Sequence, residues 1–252
     1  MVFMEPFELR FVEVKPLTAV KRVVIGLPDV GLVGLITVNH LITGLSADEV
    51  GYVESSTFPP VVVVHEGEPK FPMRFFHKEG VVYLTSEIPI PASSIPLLAR
   101  GLVEWVKGKG SPLILSVSGV AVPNRLEIET PEVYGVASTP NAKRILIDAG
   151  VKPLEEGFMV GPHSQILMEA VQRKIDNLVL VAQSHYQYPD PGAAASAVSA
   201  LNRILGLNVD VKTLLEQAEE IRLKMREVMH RTYRQMERMQ KAQEQELPPM
   251  YV

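Results

Sequence analysis

The sequence predicts a three-layer α/β domain over residues 1–209, a long amphipathic helix over 210–246 and an extended tail over 247–252. Three observations predict it. Short β-branched runs such as RVVIGL (22–27), PLILSVS (112–118) and NLVLVAQ (177–183) read as strands buried on both faces. Stretches with helix start and stop signals separate them. After about Asp210 the composition changes: residues 211–246 contain no Gly or Pro and are rich in Glu, Arg, Lys, Gln and Met.

Taken in order, FELRFVEV (7–14) alternates apolar and polar residues, as a strand with one wet face does. Residues 22–27 form the next strand, followed by a helix from about Leu32 to Leu45. Residues 48–56 and 61–66 read as strands around Pro59-Pro60, which no central strand would tolerate. Residues 71–77 and 80–85 form a hairpin turning near Lys78-Glu79-Gly80. That hairpin predicts a mixed sheet. Ser93 or Ser94 caps a helix running to about Lys107, with Pro96 in its first turn. Strands at 112–118, 133–137 and 177–183 alternate with helices near 140–149 and 164–174. Asp190-Pro191 opens a further helix and Gly206 closes it.

The chain has 252 residues, 46% of them hydrophobic, enough for a substantial core. A net charge of −4 argues against a nucleic-acid or anionic-membrane partner. With no cysteine, disulfides, thiolate metal sites and cysteine nucleophiles are excluded. The N-terminal segment is broken by Pro6 and does not read as a signal peptide, and no run of about 20 apolar residues occurs. A cytoplasmic location is expected.

The search for chemistry returns little. GLPDVGLVG (26–34) lies between a strand and a helix, but Asp29 stands where a dinucleotide fingerprint needs its first glycine. A carboxylate there would repel a pyrophosphate. Gly31 and Gly34 are expected to permit close helix–sheet packing, and Asp29 to cap the helix. No histidine pair has metal-ligand spacing. His163 and His185 are the histidines to test for catalysis, each needing a carboxylate within hydrogen-bond reach in a deep pocket. Ser118 lacks the nucleophile-elbow pattern. No cofactor and no enzymatic activity are expected. The alternative is an enzyme of the phosphorylase/hydrolase class acting on a small substrate.

Val211, Leu214, Ala218, Ile221, Met225 and Val228 alternate steps of three and four, a heptad-like stripe with charged flanks. It is expected to pack on the domain, on a neighbouring copy, or on both.

GLPDVGLVG at 26–34, YGVASTP at 134–140 and YPDPGAAASAV at 188–198 resemble the archaeal members of the proteasome-assembly-chaperone family, related to the second eukaryotic assembly chaperone. The resemblance spans residues 1–206. It implies a phosphorylase/hydrolase-like α/β fold used as a scaffold, and assembly into homo-oligomers (a tetramer or pentamer) or with a related chain. It also implies a proteasome as client, served by an assembly chaperone or an ATP-independent activator; a chaperone acting through its domain surface with a related partner chain is a further alternative. The terminal Met250-Tyr251-Val252 resembles the hydrophobic-Tyr-any-residue ends of proteasome-activating ATPases, a pattern found by chance at about 1% of termini. By that resemblance the tripeptide docks into pockets of the 20S α ring: the Val252 carboxylate pairs with a lysine, Tyr251 anchors, and Met250 fills a notch. Leu247-Pro248-Pro249 ends the helix and presents the tripeptide.

Overall fold

The computed structural model describes residues 8–17 and 19–246, with side chains to residue 239; the tripeptide 250–252 lies outside this range. A nine-stranded mixed sheet forms the middle layer. Its strands are β1 (Leu9–Glu13), β2 (Arg22–Gly26), β3 (Asp48–Ser55), β6 (Met73–Lys78), β7 (Val81–Ser86), β8 (Leu113–Ala121), β9 (Val133–Ala137), β10 (Lys152–Pro153) and β11 (Asn177–Ser184). The spatial order is β1-β3-β6-β7-β2-β8-β11-β9-β10. The central strands β7, β2, β8 and β11 are parallel, whereas β1, β3 and β6 form an antiparallel meander at one side. Two short strands, β4 (Val63–His65) and β5 (Glu68–Lys70), form a separate ribbon. Much of the VVVV run that leads into it faces solvent, with Val62 and Val64 more than 60% exposed.

Period-two alternation explains the apolar runs. In β2, Val23 and Ile25 enter one core while Val24 enters the other; in β8, Ile114 and Leu115 divide in the same way. Helices cover both faces. On one side lie α1 (Val33–Gly44), α3 (Pro140–Asp148) and α5 (Pro191–Leu205); on the other lie α2 (Ile95–Gly108) and α4 (Pro162–Arg173). The β6–β7 hairpin turns through Glu79 and Gly80, both with positive φ, as a tight hairpin turn requires.

Gly34 explains how α1 reaches the sheet. A Cβ on it would stand 2.2 Å from the Val117 carbonyl oxygen, so the bare backbone allows the close approach. Gly31 has φ +62°, and a side chain there would collide with Ser184. Two capping expectations fail. Asp29 precedes a 3₁₀ turn at Val30–Leu32 and makes no side-chain cap bond. Ser94 occupies the position before α2, but its backbone is already helical and its hydroxyl donates to the Thr57 carbonyl at 3.1 Å. Asp190 does cap α5, accepting from the Ala193 amide at 3.0 Å, and Gly206 ends that helix in the left-handed conformation.

The C-terminal helical segment is two helices, α6 (Lys212–Glu216) and α7 (Ala218–Glu246). No Gly or Pro marks the break at Gln217. It coincides with a change of line: Leu214 is buried from α6, whereas Met229 and Met236 are buried from α7. The 29 residues of α7 span about 44 Å. Along it, Met225, Met229, Thr232, Met236 and Met239 recur at steps of four and three and rest on the domain. Met229→Ala is expected to destabilise the protein by about 2–3 kcal/mol, because the cavity left beneath α7 fills only partly. Chemical denaturation measures this.

Candidate functional site

Five of the six stripe residues pack on the chain's own domain. Leu214 is buried, and Val211, Ile221, Met225 and Val228 are half-buried against the core that α1 and α5 share. Ala218 is half-buried. On its outer side α7 carries Leu223, 65% exposed, amid the ion pairs Lys224–Glu220 and Arg231–Glu227. Tyr233 holds the loop after β11: its ring packs edge-on against Tyr186, and its hydroxyl accepts from the Gln187 amide at 3.2 Å. The aromatic loop SHYQYPD is therefore partly a packed corner.

Behind that loop lies an ionic knot that the sequence did not reveal. Arg125 donates to both Asp190 oxygens, at 2.7 and 2.9 Å, and to the Ile128 carbonyl at 2.7 Å. Asp190 also accepts from the backbone amides of Ala193 and His185. His185 thus meets its nearest carboxylate through its backbone, and its ring stands edge-on to Tyr188.

The second place of interest is a cavity of about 160 Å³ at the carboxyl ends of β2 and β8. Pro28 and Asp29 follow β2, Pro89 and Ile90 follow β7, Ser118 to Ala121 end β8, Val181 belongs to β11, and the loop 154–161 and α7 also contribute walls. Within the wall, Asp29 Oδ2 lies 3.5 Å from His163 Nε2. His163 sits in the first turn of α4, just after Pro162, and is 2% exposed. Neither ring nitrogen of His163 has a hydrogen-bond partner, and nor does Asp29 Oδ1. Burial pushes the Asp29 carboxyl well above the usual carboxylate range; the neighbouring Ser118 hydroxyl opposes this only weakly. Burial likewise pushes the His163 imidazole down to about 4. Burial thus disfavours the charged form of both groups, and the imidazole is neutral at pH 7. His163 therefore has a carboxyl group nearby but no hydrogen bond to it, short of the contact that a catalytic reading requires, and no nucleophile is bonded to its ring. The Ser118 hydroxyl donates to the Gly119 carbonyl. Among the described residues no group of three or more His, Asp or Glu could hold a metal ion, and no helix is long and apolar enough to cross a membrane.

The family model described as the PAC2 family matches residues 23–229. The chain belongs to the PAC2 family. Over 89% of its length it superimposes on Pyrococcus furiosus PbaA, described as an archaeal homolog of proteasome-assembly chaperone, with 31% identity and a TM-score of 0.83, covering 97% of that chain. Pyrococcus furiosus PbaB, described as an archaeal proteasome activator, shares the fold at 24% identity and a TM-score of 0.72, over 88% of this chain and 98% of that one. An uncharacterised protein of Methanocaldococcus jannaschii is 26% identical over 97% of this chain and 98% of its own. The three-layer mixed sheet with its C-terminal helix is thus a PAC2 fold.

The buried histidine gives this PAC2 protein a calculable acid response. Its folded pKa lies below the ordinary value of 6.5. As pH falls through 6.5 the unfolded chain takes up a proton that the native state refuses until about 4. The His163 contribution to stability is therefore lost across that window, whereas Asp29, its carboxyl raised, contributes the opposite slope with or without the histidine. His163→Phe should remove the histidine's slope. Relative to the variant, the native protein is expected to lose about 2 kcal/mol between pH 7 and pH 5. Urea denaturation of both proteins at the two pH values checks it.

Proposed function

We propose that the protein is a proteasome-binding scaffold that inserts Met250-Tyr251-Val252 into pockets of the 20S α ring. The observation that carries this reading is the tripeptide itself, set beyond a long C-terminal helix in a PAC2 chain. A relative 31% identical, PbaA, described as a homolog of a proteasome-assembly chaperone, supports the same client. The helix α7 continues from Met239, its last described contact, to Glu246, roughly 10 Å further along its axis. Leu247-Pro248-Pro249 then favours an extended approach.

The chemistry of the three residues suits a ring pocket. A terminal carboxylate forms a charge-assisted pair with lysine. Tyrosine offers a large ring with a hydrogen-bonding tip and loses little rotamer freedom. Methionine adapts to an irregular notch. One such tail binds weakly, because ordering it has an entropic cost. Several tails on a homo-oligomer, or on an assembly with a related chain, raise the avidity once their spacing matches the pockets.

The test is co-purification of 20S proteasome with the full chain and with a form lacking residues 250–252. Capture by the first and none by the second supports the reading. Equal capture rejects it and favours a chaperone that works through its domain surface. A peptidase assay on the same samples separates two roles: stimulation marks an ATP-independent activator, and binding without stimulation marks an assembly chaperone.

A further inference from the structure

The outward face of α7 is strongly basic. Between Arg222 and Arg238 six Arg or Lys stand against two Glu, leaving +4 in a chain whose net charge is −4. Arg222, Arg226, His230, Arg234 and Arg238 recur at steps of four and are all exposed, a basic ridge that winds slowly round the helix. Arg222 pairs with Glu219, whereas Arg226, Arg234 and Arg238 have no salt bridge among the described residues. The ridge borders a groove of about 940 Å³ between α7 and the loop after β11. Two exposed apolar side chains, Tyr188 and Leu223, stand in its walls beside Arg226 and His230. The groove's carboxylates, Glu219 and Glu227, are already paired with Arg222 and Arg231.

The loop between β10 and α4 has the opposite charge. Phe158 is fully exposed there, close to the exposed Glu155 and Glu156, neither of which has a salt bridge among the described residues. A lone exposed ring is ordinary. A ring beside two unpaired carboxylates, on a molecule that also presents an apolar groove edged with unpaired arginines, makes a complementary set. Within one chain the fit is not made, since Phe158, Tyr188 and Leu223 all remain exposed. Yet the two surfaces are neighbours: the loop and α7 line one cavity at the ends of β2 and β8, with Phe158 and Met239 both in its walls. A two-fold axis beside them sets each loop against the other copy's helix, so that symmetry makes the same contact twice.

We propose that the groove on α7 receives a second copy of this chain. Phe158 of each copy enters between Tyr188 and Leu223 of the other, and Glu155 and Glu156 meet Arg226 and Arg234. The phenyl ring supplies the affinity, as a buried aromatic anchor against tyrosine does. The carboxylate–guanidinium pairs fix the register. The contact uses none of residues 250–252, so it stands or falls apart from the docking of the tail, and it gives each pair of chains two tails.

Sedimentation equilibrium of the full-length protein, with no proteasome present, measures the association. Every residue changed is exposed, and melting temperatures show that the variants fold. Phe158→Ser should weaken self-association at least about 10-fold. Arg226→Glu with Arg234→Glu should do the same, and so should Glu155→Arg with Glu156→Arg. The four charge changes together should recover most of the loss, because opposite charges face each other again. A form lacking residues 250–252 should associate as the native protein does. A native protein that is monomeric overturns the proposal, whether or not it binds a DNA duplex or phosphatidylserine vesicles through the ridge. So does an assembly whose mass none of these changes lowers, or a loss that the four changes together do not recover.

Discussion

Asp190→Ala should destabilise the domain by about 3–5 kcal/mol, the usual cost of removing one partner of a buried ion pair. The Asp190 carboxylate is 1% exposed and serves three elements at once. It receives the Arg125 guanidinium on both oxygens, caps α5 through Ala193 and holds the His185 amide at the end of β11. Removal leaves a largely buried guanidinium with no counter-charge and a helix with no cap, and each loss is costly. Asp190→Asn keeps the cap and one acceptor, so it should cost less than alanine does. The double variant Asp190→Ala with Arg125→Met should recover part of the loss, because no buried charge is then stranded. Urea denaturation of these four proteins and of Arg125→Met alone measures both the loss and the coupling. A single-variant loss below about 1 kcal/mol would show that the pair contributes little.

Tyr251→Ala should abolish detectable binding to a 20S proteasome. A buried aromatic anchor contributes at least about 2 kcal/mol, roughly 30-fold in affinity per tail. In an oligomer the losses multiply across the tails engaged together, so a modest change per tail becomes a large one overall. Tyr251→Phe keeps the ring and loses only the hydroxyl, so it should retain most of the binding. Neither change should alter melting temperature or oligomer mass. Surface plasmon resonance against immobilised 20S measures the series. A drop in stability along with binding would instead place Tyr251 in the protein's own packing.

What the sequence made legible was local. β2, β8 and β11 announced themselves because strands buried on both faces read as unbroken apolar runs. The start of α5 was equally plain, since Asp190-Pro191 is a cap followed by a residue preset for the first helical turn. The turn of β6–β7 lay where Glu79-Gly80 required positive φ. The C-terminal stripe was visible as a stripe, and the structure added a surface that it meets: Leu214 lies in the chain's own core, with Val211, Ile221, Met225 and Val228 packed against it. The break at Gln217 was not legible, because no helix-breaking residue stands there and the change of line depends on where the core lies. Asp29 misled for a related reason. A carboxylate before a helix ordinarily caps it, but a 3₁₀ turn intervenes and buries the side chain beside His163. That pair joins residues in two distant segments of the chain, as does Arg125–Asp190. Neither periodicity nor spacing carries information about such contacts, which exist only once β2, β8 and β11 lie side by side. The terminal tripeptide was read from sequence alone and lies outside the described residues.

One measurement tests the docking proposal most directly. A photoreactive benzophenone amino acid placed at position 251 of the full-length protein is irradiated in the presence of 20S proteasome, and the adducts are mapped by mass spectrometry. Docking of the tail predicts adducts on the α subunits, in the clefts between neighbouring subunits of the ring, competed away by excess unlabelled protein. Adducts confined to this chain itself, formed while the complex with 20S remains intact, would contradict it.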